Sequence, residues 1–141
     1  MSPLEQAVLK RNLEHLTELL ALLRLEAETP LPVSLADKRQ QLPVERLLHL
    51  SVEAASDLLE HVLAQAFNGK PQTYADTFRF AGQHGLISTA LAQRLVPAAG
   101  LRNRLVHDYE AIDPNRVHAA MASALHDLDQ LAEELAPRVR T

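Results

Sequence analysis

The chain of 141 residues contains no cysteine and no tryptophan, and only 4% of its residues are aromatic. Without cysteine it can form no disulfide, thiolate zinc site or iron–sulfur cluster, and it has no thiol nucleophile. Its four glycines do not have the spacing of a phosphate-binding loop or of a dinucleotide-binding fingerprint. The fold must therefore be stabilised by burial of side chains, and enzymes built on those loops are excluded.

Long apolar runs are absent too, although 47% of the residues are hydrophobic. No window is long enough to cross a bilayer. The first residues, MSPLEQAVLKRNLEHL, carry their charges inside the apolar pattern, unlike a secretory signal. We therefore expect a cytoplasmic protein that does not associate with membranes. Its apolar residues must be dispersed periodically, as in amphipathic helices.

The seven histidines do not form a metal-binding pattern. No two of them are four residues apart, and there is no Glu-x-x-His sequence of the kind that builds di-metal sites in helical bundles. We expect no metal and no cofactor. His49 and His61, both in one long predicted helix, are expected at its polar edge rather than at a site.

Helix signals recur along the whole chain, and no stretch alternates with the period of two that is typical of strands. Ser2-Pro3-Leu4-Glu5 predicts a capped helix start, and leucines then follow at steps of three or four to about residue 25. After a proline-containing loop, a short helix is predicted over about 34–42 and a long one over 43–67, ending at the sequence NGKP. Four further helices are predicted. The first two are a helix over about 73–83 and a short helix that begins at residue 88. The last two lie over about 98–109, after Pro97, and from Pro114 to near Pro137.

These elements predict an all-α fold. We expect one domain over residues 1–141, with a frayed tail from about 137, arranged as an up-and-down four-helix bundle with short additional helices.

One predicted helix concentrates polar and titratable side chains. It lies in residues 100–113, GLRNRLVHDYEAID. At about 100° per residue, an arc of roughly 160° carries five such residues and is interrupted only by Val106. They are Arg102, Asn103, His107, Tyr109 and Glu110. Leu101 and Leu105 can face the core instead.

Charge is distributed unevenly along the chain. The formal net charge of −4 argues against non-specific coating of nucleic acid. Between Arg79 and His118, however, five arginines stand against three acids, a balance of +2, whereas the rest of the chain sums to −6. Since guanidinium can hold phosphate through two parallel hydrogen bonds, a phosphate-bearing ligand would be drawn to this segment.

Arginine and histidine together suit the cleavage of RNA by its own 2′-hydroxyl. The substrate carries the nucleophile, so the protein needs only to move protons and to stabilise a crowded, charged transition state. Histidine can take or give a proton at neutral pH. Arginine can neutralise developing charge without exchanging protons.

Residues 102–109, RNRLVHDY, resemble the R-x4-H-x-Y form of the motif of HEPN-domain ribonucleases, in particular the HepT-like toxins. Similarity in the kind and order of segments extends over roughly 42–113. The resemblance implies an HEPN-like bundle that forms a homodimer, in which the two motif helices build a composite, metal-independent RNA-cleaving site at the interface.

The resemblance also implies roles for individual residues. Arg102 and His107 would be the catalytic pair, with Asn103 and Asp108 as supporting polar residues. Tyr109 would be the residue that a cognate nucleotidyltransferase antitoxin of the MntA type modifies with AMP. Arg104 receives no catalytic role from the family pattern.

Two functions from different classes stay open. The first is a metal-independent endoribonuclease that acts as the toxin of a type VII (HEPN/MNT) toxin–antitoxin pair and is neutralised by adenylylation of Tyr109. The second is a non-catalytic module that uses the same basic face to bind a nucleotide or a nucleotidyltransferase. For single residues, the structural alternatives are a core or interface histidine at His107, a surface salt-bridge residue at Arg102 and a helix-end anchor at Tyr109.

Overall fold

The computed structural model describes residues 2–66, 71–107 and 113–140, and these ranges contain helices but no strand. The all-α prediction is confirmed. The helices are α1 (Pro3–Glu26), α2 (Leu31–Ala36), α3 (Lys38–Ala66), α4 (Tyr74–Gln83), α5 (Thr89–His107) and α6 (Pro114–Arg140).

The start of α1 forms the capping arrangement that its sequence predicts. The Ser2 hydroxyl accepts a hydrogen bond from the Glu5 N–H at 3.1 Å, and the Ser2 N–H donates to the Glu5 carboxylate at 2.7 Å. Pro3 occupies the first helical position, where no backbone donor is required. The leucine stripe is buried along the whole helix, at Leu9, Leu13, Leu16, Leu19, Leu20 and Leu23.

The four long helices, α1, α3, α5 and α6, form the predicted up-and-down bundle, and α2 and α4 are the short additional helices. α1 packs against α3 and α6, while α5 contacts α3, α4 and α6. A continuous aliphatic core lies between them and includes Leu58, Phe78, Leu91 and Leu128, all fully buried. No helix in the described ranges has the length and hydropathy to cross a membrane.

Two prolines that the sequence places at helix starts lie inside helices. α3 begins at Lys38 because Asp37 caps it: its carboxylate accepts from the Arg39 N–H at 2.9 Å and its carbonyl from the Gln40 N–H at 3.0 Å. The short helix α2 therefore ends before the predicted position. α5 likewise runs straight through Pro97.

The physical reason is burial of residues that neighbour each proline. An internal proline costs a helix about 3 kcal/mol. Leu95 and Ala99, on either side of Pro97, are both within 1% of complete burial, and Val44 after Pro43 is also buried. Each helix gains more from this packing than it loses at the proline. α6 also continues beyond Pro137, and Val139 near its end is buried and accepts a hydrogen bond from the Gln6 amide of α1.

Glycine allows α4 and α5 to approach closely. A Cβ built on Gly82 of α4 would lie 2.6 Å from the Cβ of Ala92 on α5, closer than real side chains come. Gly85, after the end of α4, has a φ of +72°, in the left-handed region that favours glycine. α4 is therefore fixed against α5 immediately before the turn that joins them.

This packing predicts opposite effects for two glycine-to-alanine substitutions. Gly82→Ala should lower the free energy of unfolding by about 1–3 kcal/mol, because α4 and α5 must separate to admit the methyl group. Gly100→Ala, in the middle of α5, should raise it by about 0.5–1 kcal/mol, since alanine is the better helix former. The added methyl there meets no described atom within 4 Å. Urea unfolding followed by circular dichroism measures both, and equal stabilities for the two variants would contradict the close approach.

Candidate functional site

Arg102 of α5 points towards α3 and is largely removed from solvent, with 13% of its side chain exposed. Its Nη2 donates a hydrogen bond of 2.6 Å to Oε1 of Glu53 on α3. Its Nη1 donates at 3.3 Å to Oδ1 of the neighbouring Asn103, which is itself exposed. The Nε is buried and has no acceptor among the described residues. The arginine that the sequence singles out is thus held by a second helix.

Tyr74, the first residue of α4, holds the same guanidinium from another side. The Arg102 Cζ lies 4.5 Å from the centroid of the Tyr74 ring, within the range of a cation–π contact. The Tyr74 hydroxyl donates a hydrogen bond of 3.1 Å to the same Glu53 oxygen that Arg102 contacts. Glu53 and Tyr74 together fix the position of the guanidinium.

His49 joins these side chains from one turn earlier on α3. Its Nε2 lies 2.8 Å from Oε2 of Glu53, and its side chain is 15% exposed. Its Nδ1 lies 3.3 Å from Nη1 of Arg46. His49, expected at the polar edge of this helix, is partly buried there, and the spacing of four places it on the face of α3 that carries Glu53. His61 is exposed, as expected. We refer to Arg102, Glu53, Tyr74 and His49 as the Arg102 cluster.

The charges in the Arg102 cluster follow from burial and hydrogen bonding. Burial raises the pKa of Glu53, but the hydrogen bonds from Arg102 and Tyr74 and the nearby positive charges outweigh it, so the pKa lies below its usual value. Burial lowers the pKa of His49, and the attraction of Glu53 does not fully offset this. Burial, followed by Glu53, raises the pKa of Tyr74. At neutral pH the cluster therefore holds an ionised Glu53 beside Arg102, with His49 and Tyr74 neutral.

A groove of about 460 Å³ lies beside the Arg102 cluster, between α3, α5 and α6. Arg102 contributes to its wall, together with three other arginines, Arg94, Arg104 and Arg116. The remaining lining is mostly aliphatic. We refer to this feature as the arginine groove.

The structure describes the residues of the predicted site only in part. His107 is the last residue of α5, so its backbone continues the helix that carries Arg102. The His107 side chain, Asp108 and Tyr109 lie outside what the structure describes. Leu105 is buried, as predicted, and Leu101 packs against the core. Among the described residues, no group of three histidine, aspartate or glutamate side chains could hold a metal ion.

Sequence reasoning did not find Glu53, Tyr74 or His49. The four residues of the Arg102 cluster come from three helices, and Glu53 lies 49 positions before its partner Arg102. The one available signal was the spacing of His49 and Glu53 on a predicted helix. This spacing indicates that His49 and Glu53 share one face of the helix, but it does not indicate which other helix packs against that face.

The Arg102–Glu53 pair predicts a stability effect that an exposed ion pair would not have. Glu53→Gln keeps the shape of the side chain but leaves Arg102 without its counter-ion, so we expect a loss of about 1–3 kcal/mol in the free energy of unfolding. The matched control is Arg79→Gln, which breaks an exposed pair with Asp76 at 3.0 Å. That variant should lose less than about 0.5 kcal/mol. Chemical denaturation at neutral pH compares the two, and a Glu53→Gln protein as stable as the control would show that the pair does not hold α5.

Comparison with known proteins gives concordant results from sequence and structure. Residues 9–135 match the family model described as ribonuclease HepT-like. The chain is 37% identical over 125 residues to the tRNA nuclease HepT of Aphanizomenon flos-aquae, covering 89% of this chain and 85% of that protein. It is 33% identical over 81 residues to the mRNA nuclease HepT of Shewanella oneidensis, covering 57% of this chain and 61% of that protein.

Solved structures with the same fold include a tri-AMPylated Shewanella oneidensis HEPN toxin in complex with an MNT antitoxin. That toxin superposes with a TM-score of 0.84 at 23% identity, covering 97% of this chain and 99% of its own. A toxin–antitoxin structure with AMP-PNP contains a chain that superposes with a TM-score of 0.83, also at 23% identity, covering 93% and 98%. At this level of identity the likeness establishes the fold.

Proposed function

The chain belongs to the ribonuclease HepT-like family, and on this premise we propose that it is an endoribonuclease, acting as the toxin of a type VII toxin–antitoxin pair. The observation that carries the proposal is the placement of Arg102. It lies five residues before His107 on α5 and is held by Glu53 and Tyr74. This arrangement occurs in a chain that is 37% identical to a tRNA nuclease.

The proposed reaction uses the RNA as its own nucleophile. The 2′-oxygen forms a bond to the adjacent phosphorus, and the bond from phosphorus to the 5′-oxygen breaks. The 2′-hydroxyl loses a proton and the departing 5′-oxygen gains one, which leaves a cyclic phosphate and a 5′-hydroxyl. His107 is the proton-transfer group. Because the nucleophile is an ordinary hydroxyl of the substrate, the proposed step requires neither a metal nor a cofactor.

Arg102 is proposed to stabilise the negative charge that develops on the phosphate oxygens. A guanidinium has five N–H donors, and Glu53 takes one of them at 2.6 Å. Asn103 takes a second at 3.3 Å and the N–H of Nε is buried, which leaves one N–H on each Nη for a phosphate. Since the side chain is already fixed by Glu53 and Tyr74, it loses little rotamer freedom when RNA binds. Asn103 and Asp108 are the proposed supporting polar residues.

We place this site in a homodimer, in which the α5 helices of two copies form one composite site. The second proposed partner is an MntA-type nucleotidyltransferase antitoxin. The Shewanella oneidensis toxin described as tri-AMPylated and bound to an MNT antitoxin supports this partner.

Tyr109 is the proposed site of modification. Its phenolic oxygen would attack the α-phosphorus of ATP, forming an oxygen–phosphorus bond as pyrophosphate leaves and the phenolic proton is lost. The product carries a negatively charged phosphodiester two residues after His107. That charge and bulk would repel the RNA phosphate from Arg102, which provides a physical route to neutralisation.

RNA cleavage gives the direct test. Purified protein should cleave single-stranded or transfer RNA in the presence of EDTA and leave cyclic phosphate ends. His107→Ala and Arg102→Ala should each reduce the rate by about 100-fold or more, as expected for loss of a proton-transfer group and of an electrostatic stabiliser. His126→Ala is the control, because His126 is exposed on α6.

Cleavage that persists in His107→Ala would overturn the catalytic assignment. Tight nucleotide or nucleotidyltransferase binding with no RNA turnover by the unaltered protein would instead favour the non-catalytic module.

Adenylylation can be assigned simply, because the chain has two tyrosines, Tyr74 and Tyr109. Incubation with ATP and the cognate nucleotidyltransferase should add the mass of one or more AMP groups and abolish RNA cleavage. Tyr109→Phe should gain no mass, whereas Tyr74→Phe should still be modified. Intact-mass spectrometry reads the result, and an AMP adduct on the Tyr109→Phe protein would show that another residue is the acceptor.

A further inference from the structure

The arginine groove combines an apolar floor with positively charged walls. Leu48 and Val52 of α3 and Leu101 and Leu105 of α5 contribute to the floor. Its volume of about 460 Å³ is within the range of small-ligand sites, which are mostly apolar with a few polar groups at fixed positions. The groove therefore suits a ligand that has an apolar part and an anionic part.

The four arginines of the groove differ in how far their charge is offset. Arg94 donates to Asp127 at 2.9 Å and to Gln130 at 2.6 Å. Arg102 is paired with Glu53. Arg104 is exposed and has no described carboxylate within 4 Å.

Arg116, on α6, is also exposed. Its positive charge contributes to lowering the pKa of Asp113, which is itself fully exposed. Asp127 is the single acid among the described lining residues, and it is taken by Arg94. Arg104 and Arg116 therefore give the groove an excess of positive charge, since neither forms an ion pair within 4 Å with a described carboxylate.

Helix geometry places the two α5 arginines on opposite sides of the apolar floor. At about 100° per residue, Arg102 and Arg104 each lie about 80° from the line through Leu101 and Leu105. Arg102 is on the side that meets Glu53 of α3. Arg104 is therefore turned away from Glu53 and cannot share a phosphate with Arg102 in the same manner. Two separate anionic groups, with an apolar surface between them, fit this arrangement.

We propose that the arginine groove binds a nucleotide of the RNA substrate next to the scissile phosphate, with the base on the aliphatic floor and the neighbouring phosphate at Arg104 and Arg116. This inference rests on the proposed function, which puts the scissile phosphate at Arg102. The flat face of a base suits the leucine and valine floor, and charge-assisted hydrogen bonds from guanidinium suit the phosphate. Binding of this kind is tolerant of sequence, because every base has an apolar face.

The test uses a fluorescein-labelled single-stranded RNA and a 2′-deoxy strand of the same sequence, which has no 2′-hydroxyl and cannot be cleaved by the proposed reaction. Fluorescence anisotropy measures binding of the uncleavable strand over a series of salt concentrations. Arg104→Ala and Arg116→Ala should each weaken binding by about 10-fold and reduce the salt slope by about 0.7, the value for one phosphate contact on a single strand. Arg11→Ala removes the same charge from an exposed position on α1 and should leave binding unchanged.

A second variant tests the apolar floor. Ala120 of α6 lines the groove and is partly exposed, so Ala120→Phe would fill the space from one side. It should weaken binding of the uncleavable strand by about 10-fold while the oligomeric state, measured by light scattering, stays that of the unaltered protein. Ala120→Leu, a smaller replacement, serves if the phenylalanine variant does not fold, and it should weaken binding less.

The outcomes separate this inference from the proposed function. If the unaltered protein cleaves RNA but Arg104→Ala and Arg116→Ala bind the strand as tightly as Arg11→Ala, the nucleotide subsite is wrong and the ribonuclease stands. If these two variants weaken binding but the unaltered protein cleaves no RNA, the subsite stands and the catalytic proposal fails. A changed oligomeric state in the arginine or Ala120 variants would show that the groove is an interface between copies, which overturns the subsite.

Discussion

The ion pair between Arg102 and Glu53 connects the helix that carries the candidate catalytic residues to the middle of α3. Arg102 approaches from α5 and Glu53 from α3, so the pair forms only when these two helices are packed in the right register. Tyr74 connects α4 to this pair, because its hydroxyl donates a hydrogen bond to the same Glu53 oxygen. Three helices thus converge on one carboxylate, and tertiary packing, rather than α5 alone, sets where the guanidinium lies.

This arrangement also determines what kind of electrostatic help the site can give. A guanidinium with a carboxylate at 2.6 Å does not act as an isolated positive charge. The guanidinium contributes through N–H groups whose orientation is fixed before the substrate binds. These groups need no reorientation when negative charge develops on a substrate. The lowered pKa of Glu53 keeps the pair ionised well below neutral pH, so the orientation persists over the range in which histidine gains and loses its proton.

Local signals in the sequence were sufficient for most of the fold and for one part of the site. The Ser2–Glu5 cap and the leucine spacing of α1 act within a few residues, and the RNRLVHDY segment is contiguous. The helix starts predicted at Pro43 and Pro97 were wrong, because burial of neighbouring residues outweighs the low helix propensity of proline. Glu53, Tyr74 and His49 could not be found, since their proximity to Arg102 depends on how α3 and α4 pack against α5.

The position of Arg102 and Arg104 on opposite sides of the Leu101–Leu105 line has a consequence for selectivity among anions. Inorganic phosphate can occupy one arginine at a time and gains one set of contacts. A polynucleotide with successive phosphates in reach of both gains the second contact at the high effective concentration that a covalent link provides. The separation of the two arginines would thus favour binding of linked phosphates over the far more abundant small phosphate ions of a cell.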